Sequence, residues 1–363
     1  MALDHPPVPP RRIGEVIPLF DEAESPIPGQ PSTTAAKLRV PRANNEKIQA
    51  DRQARLFEEF AAIHATDAWT ANSAGFLPSA LVQASLPYRD PGNIDVFVKT
   101  NGKVSLMISP GFEMVEEPVT LKNGTQTTKP KARSKGFPYG SIPRLVLSWV
   151  ATQAILTKRR EVQMGNSLSN FMSLLGSHNV SGGETGSIKR LKDQTGRLLA
   201  CHMSLVPHKL AGDMSTITKN IQIASFSAIY DSDASKRTLD DVFGSKITLS
   251  EEFIRELLAN PVPLDFRALR YLRQSPMALD IYAWLTWSFF SVRRETLISW
   301  DVLYGQFGGT GSNEKKFKEN WRQCLEAVKQ IYPAAQVVCV REGALLSPSP
   351  THVPVRQEIF AVR

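Results

Sequence analysis

One run constrains this chain more than any other. "SIPRLVLSWVATQAILT", residues 141–157, is apolar on almost every side of a helix. Ile142, Leu145, Val146, Trp149 and Leu156 follow helical spacing, and Leu147, Val150 and Ile155 add apolar surface elsewhere. Such a helix belongs inside the protein, with other elements covering it. It is too short to span a bilayer, and Arg144, Ser148, Thr152 and Gln153 interrupt it. A second run of the same kind, 275–291, carries Trp284 and Trp287 and is interrupted by Asp280. The fold therefore has to build and cover two buried helices.

The elements that follow each run repeat. After the first comes a short extended stretch, "EVQMG" (161–165). A small helix over 168–175 is capped by Ser167 and stopped by Gly176. A glycine-rich turn (Gly182, Gly183, Gly186) leads into a helix from about 184 to 202. Two alternating strands, "HMSLV" and "ITKNIQIASFSAIY", join through a polar turn at 208–217. After the second run come "ETLIS", the short helix "WDVLYGQFG" and a turn with Gly308, Gly309 and Gly311. A long helix and the hairpin "QVVCVREGALLS" then follow, the hairpin turning at Glu342-Gly343. Helix, short strand, helix, turn, longer helix, two-stranded ribbon is the order of a winged helix.

The predicted fold is α+β and helix-rich, with two tandem winged-helix domains and a disordered N-terminal tail. Residues 1–45 hold nine prolines and little periodicity, too little apolar surface to offset the entropy of ordering them. Residues 46–230 form the first winged-helix domain and open with a helix carrying Ile48, Leu56, Phe60 and Ile63 on one side. Within it, 94–109 alternates around Asn101-Gly102, a hairpin signature, and "PKARSK" (130–135) reads as an exposed loop. Residues 231–248 read as a polar linker, 249–350 as the second winged-helix domain with opening helices at 250–260 and 264–273, and 351–363 as a C-terminal tail.

Each long helix has one face for packing and one for a partner. Ile188, Leu191, Thr195, Leu198 and Leu199 share a face of the first, with Lys189, Arg190, Asp193 and Arg197 opposite. In the second, Phe317, Trp321, Cys324, Val328 and Ile331 form the inner stripe, while Lys315, Lys318, Glu319, Arg322 and Glu326 face out, flanked by Lys316. A lone amphipathic helix of this kind usually meets only water. Two of them, each third in a helix-turn-helix order with its bases in the first half, point to DNA major grooves. The expected DNA-binding set is Lys189, Arg190, Lys192, Arg197, Lys209, Lys315, Lys316, Lys318 and Arg322, joined by Lys131 and Arg133. A formal net charge of +8 favours a polyanionic partner. Trp149 and Trp321 sit on apolar faces and are expected in the core.

Other chemistries lack their residues. No phosphate-cradling G-x-x-x-x-G-K-[ST] loop occurs, and "GGTGSNEKK" has the wrong spacing. His5, His64, His178, His202, His208 and His352 form no His-x-His pair and no H-E-x-x-H, and there is no C-x-x-C. A DNA-nicking enzyme, a cofactor and a metal are therefore not expected. Cys201, Cys324 and Cys339 read as reduced thiols of a cytoplasmic protein, and the N-terminus has no signal-peptide pattern.

The block from Gly136 to Leu198 resembles the RepA-type plasmid replication initiators of bacteria. The matching positions are Pro138, Tyr139, Gly140, Pro143, Arg144, Leu145, Leu147 and Trp149; Gly165, Ser167, Leu168, Ser169, Phe171, Met172, Leu175 and Gly176; and Gly182, Gly183, Gly186, Arg190, Leu191, Gln194, Arg197 and Leu198. A weaker likeness runs from about 75 to 345, and Gln153 stands where the family pattern has an acidic residue. The resemblance implies binding to directly repeated double-stranded origin sequences (iterons), opening of nearby AT-rich DNA, and recruitment of the host replicative helicase and host initiator. It also implies self-dimers that repress their own gene. The competing reading is a winged-helix repressor of a palindromic operator with no initiator activity.

Overall fold

A computed structural model describes residues 54, 57–120, 126–163, 187–207, 219–228, 246–309 and 313–356. The chain is a mixed α/β protein. Helix α1 (57–65) leads into strand β1 (Ala74–Pro78) and the one-turn helix α2 (Ser79–Val82). Strands β2 (Phe97–Thr100) and β3 (Val104–Ser109) form the hairpin expected at Asn101-Gly102. The Asn101 side chain accepts from the Lys103 and Val104 amides, and Gly102 takes a φ of +82°. A long ribbon follows, β4 (Gly111–Thr120) with β5 (Gln126–Gly136).

Helix α3 (Ser141–Thr157) is the opening apolar run, buried from Pro143 to Ile155, with Trp149 in the core. It is followed by β6 (Glu161–Gln163), α4 (Ser187–Ala200), β7 (His202–Pro207), β8 (Lys219–Ile221), β9 (Ala224–Ala228) and β10 (Lys246–Leu249). The second half contains α5 (Glu251–Ala259), β11 (Pro261–Asp265), α6 (Phe266–Leu272) and α7 (Pro276–Phe289). It continues with β12 (Thr296–Ser299), α8 (Trp300–Phe307), α9 (Glu314–Ile331), β13 (Val337–Cys339) and β14 (Gly343–Leu346). Ser250, Asp265, Ser275, Ser299 and Asn313 cap α5, α6, α7, α8 and α9 by accepting from first-turn amides.

The strands assort into sheets of order β1-β11, β6-β10-β9, β12-β14-β13, β2-β3-β7-β8 and β4-β5. Two of these repeat a rule: the strand after the apolar helix pairs with the last strand of the unit, which pairs with the one before it. That is β6-β10-β9 behind α3 and β12-β14-β13 behind α7. One apolar core runs through both halves. The antiparallel β1–β11 pair, the packing of β2 on α8 and the contact of α3 with α7 join them.

Several expectations change. "PKARSK" is not a loop: it lies within β5, paired with β4 along its length. The β7–β8 pair is not a free ribbon, because β3 also pairs with β7. The first-half counterpart of the β13–β14 hairpin is β9 with β10, and β10 begins inside the stretch read as linker. Part of the expected C-terminal tail is packed: Val353 is fully buried, the Trp69 indole donates to the Pro354 carbonyl at 2.8 Å, and Tyr282 and His352 lie 2.7 Å apart. The tail at 1–45, the helix predicted over 168–175, Gly182, Gly183, Gly186, Gly311 and Lys209 lie outside the described residues.

Gly343 begins β14 opposite Ser299. Any Cβ there would overlap the Ile298 carbonyl, a backbone atom that cannot swing aside. Gly343→Ala is expected to cost about 1–3 kcal/mol, as overpacking does, with a lowered urea midpoint and an unchanged m-value.

Candidate nucleic-acid interface

Helix α4 is held by Leu191, Thr195, Leu198 and Leu199, all buried, and by Gln194, whose side chain accepts from the Tyr139 amide at 2.8 Å. Lys189 and Arg190 are exposed on its first turns, and Lys192 is half-buried. Arg197 does not face outward as its helical position suggested. Its side chain is 19% exposed and donates to Asp193 at 3.0 Å, to Asp90 at 3.3 Å and to the Phe137 carbonyl at 3.4 Å. Its guanidinium also lies 5.5 Å from the Tyr139 ring centre. Arg197 therefore ties α4 to the end of β5: Asp193 is its i−4 neighbour on the helix, while Asp90 and Phe137 come from loops that helical spacing does not reveal.

Helix α9 follows the expected pattern with one change: Cys324, expected in the inner stripe, is half-buried, and Leu325 beside it is buried. Phe317, Trp321, Leu325, Val328 and Ile331 are buried, and Trp321 meets Trp300 edge-on at 5.6 Å. Lys315, Lys316, Glu319 and Arg322 are exposed. Lys318 is half-buried, pairs with Glu314 at 2.5 Å and lies 5.5 Å from the Trp300 ring centre. The Arg322 guanidinium sits 5.0 Å from the same ring. Contact with Trp300 limits the rotamers of Arg322, whose guanidinium also reaches the Cys339 side chain. One aromatic side chain thus orders two cations on the outer face of α9.

On the ribbon, Lys131 pairs with Glu117 at 2.8 Å and Arg133 with Glu113 at 2.5 Å, both across the two strands. Sequence reasoning missed further exposed bases. Arg341 stands at the β13–β14 turn. Arg159 and Arg293 precede β6 and β12 at matching places, in "KRREV" and "VRRET". The shared Arg-Arg-Glu was a visible signal of the internal repeat. In the second sheet it lies at the end away from the β13–β14 turn.

Among the described residues no group of three or more His, Cys, Asp or Glu could hold a metal, and no helix is long and apolar enough to cross a membrane. His64 contacts the Gln330 carbonyl at 2.9 Å, and His202 is exposed. Burial lowers the pKa of His352, which packs among Tyr282, Tyr332 and the Asp265–Arg267 pair.

Residues 137–302 match the family described as plasmid encoded RepA protein, so the resemblance carried by Pro138 to Leu198 is borne out by an independent comparison. No curated protein matches the sequence. Among solved structures, domains 2 and 3 of RctB are similar in one crystal structure at a TM-score of 0.45 and 10% identity, over 74% of this chain and 95% of that one. A second structure of the same RctB domains gives 0.38 and 10%, over 73% and 93%.

Proposed function

From the match of residues 137–302 to the family described as plasmid encoded RepA protein, we propose that the chain starts plasmid replication by binding repeated double-stranded sequences at an origin. Two winged helices, built on α3 and α7, each place a basic helix in a major groove: α4 with Lys189 and Arg190, and α9 with Lys315, Lys316 and Arg322. The observation that carries this reading is the repeated sheet order. Behind each apolar helix the strands run first, last, middle, and an amphipathic helix with exposed bases lies between the first strand and the other two.

The mechanism is binding without covalent chemistry. Cations on α4 and α9 displace counterions from phosphates, and guanidinium groups read guanine edges. Binding free energy, held partly as bending of the bound repeats, drives opening of adjacent AT-rich DNA. Recruitment of the host helicase and host initiator, repression by a self-dimer, and action in the bacterial cytoplasm belong to the same proposal.

Footprinting the purified protein on DNA flanking its own gene tests it. An initiator protects several tandem repeats, whereas one protected palindrome would support a plain repressor. Arg190→Ala and Arg322→Ala are each expected to weaken target binding by about 1–3 kcal/mol, and more than binding to random duplex. An equal loss on both DNAs would reassign the residue to a phosphate.

A further inference from the structure

Among the described residues the β4–β5 ribbon is paired with no other strand, and almost every residue along it is at least partly exposed on both faces. At about 3.3 Å per residue its ten-residue strand extends roughly 33 Å. A lone two-stranded ribbon is marginal in water, so packing alone does not account for its length. We infer that this ribbon is a DNA arm, laying one basic face along phosphates beside the groove taken by α4. The inference rests on the DNA-binding reading above and extends it to a surface outside the two helices.

The register sets the face. Glu113 lies opposite Arg133, Val115 opposite Lys131 and Glu117 opposite Lys129. Directly opposed residues share a side, so Lys129, Lys131 and Arg133 stand in a row about 6.6–6.8 Å apart. Lys135 joins that side, its ammonium 4.0 Å from Glu113. The row spans about 20 Å. A duplex carries about one negative charge per 1.7 Å of helix axis, so a cation row about 20 Å long has several phosphates within reach along a groove edge. Exposed pairs such as Lys131–Glu117 and Arg133–Glu113 contribute only about 0–1 kcal/mol. Transfer of these cations to phosphate therefore costs little. Lys129 has no ion-pair partner among the described residues.

Two further observations limit the alternatives. Pro118 and Pro130 lie mid-strand and lack amide donors, which discourages addition of another strand at either edge. The root is fixed to α4: Gly111 sits against the Ala200 carbonyl, and a Cβ on Gly136 would fall 2.8 Å from the Arg197 guanidinium. The arm is thus held at a set angle to the helix that carries Lys189 and Arg190. The opposite face, with Phe112 and Met114 at 68% and 67% exposure, is the competing protein contact.

The test is a salt series on the full chain carrying Lys129→Gln, Lys131→Gln, Arg133→Gln and Lys135→Gln together, with target and random duplex. At about 0.9 per phosphate, the slope of log affinity against log salt is expected to fall by roughly 2–4, with equal loss on both DNAs and a footprint shortened on one flank. Circular dichroism and Tm should stay near wild-type values because three of these side chains are exposed and Lys135 is only half-buried. Glu113→Gln with Glu117→Gln, which frees the same cations, is expected to tighten both DNAs. An unchanged slope and footprint while Arg322→Ala still weakens binding would overturn the arm alone. So would intact DNA binding with lost self-association, which would reassign the ribbon to a protein contact. Wild-type protein with no salt-dependent DNA binding would overturn the arm together with the reading beneath it.

Discussion

Arg144→Ala is expected to destabilise the protein by about 3–5 kcal/mol, the cost of leaving one partner of a buried ion pair alone. The Arg144 side chain is 7% exposed and that of Asp280 16%. Arg144 donates to both Asp280 oxygens at 2.7 and 2.8 Å, and to the carbonyls of Leu86, Pro87 and Gly140 at 2.6, 3.2 and 2.6 Å. Its guanidinium lies 5.0 Å from the Tyr88 ring centre. Removing it strands the Asp280 carboxylate with Lys99 nearby, an ammonium whose pKa burial lowers to about 8 although Asp280 works against that shift. It also leaves three carbonyls without this donor. The pair joins α3 to α7, so the loss acts on both halves together.

The measurement is a urea titration. Arg144→Ala should lower the midpoint, and Asp280→Ala should do so by a similar amount. Arg144→Met with Asp280→Leu should recover much of the difference, because an apolar pair leaves no orphaned charge. A cost below about 1 kcal/mol for Arg144→Ala would mean that solvent reaches the site and that apolar packing and the β1–β11 pair hold the two halves without it.

Much of the fold was legible because burial writes itself into periodicity. Helices α3 and α7 are apolar all round, and the inner stripe of α9 from Phe317 to Ile331 is buried as its spacing requires. Asn101-Gly102 announced its hairpin. What stayed hidden was non-local. Nothing in "KITL" says that β10 crosses back to pair with β6, nor in "HMSLV" that β3 lies alongside β7. The ribbon was hidden by its polarity: in "TKPKARSK" the bases recur at every second residue, a strand period, but with no core to face they read as loop. Of the expected interface, the exposed faces at Lys189, Arg190, Lys315, Lys316 and Arg322 follow helical spacing. Arg197 departs because Asp90 and Phe137 reach it from distant parts of the chain. Arg341 depended on the position of the β13–β14 turn, which the sequence located without singling out its arginine. The functional class came from the RepA-type block, since spacing alone separates a DNA-reading helix poorly from a solvated one.

The second large effect follows from charge. If α4, α9 and the ribbon together engage about 6–10 phosphates, affinity for the target should fall roughly 10³–10⁵-fold between 50 and 200 mM salt. Random duplex should show a similar slope at a weaker absolute affinity, since phosphates carry no sequence. The measurement that most directly tests the central claim is therefore a salt titration on two fragments: DNA flanking the protein's own gene, where the proposal places tandem repeats, and random duplex of equal length. The account predicts steep, parallel slopes with a constant preference for the repeat-bearing fragment. A flat response, or steep binding with no preference between the two, would contradict it.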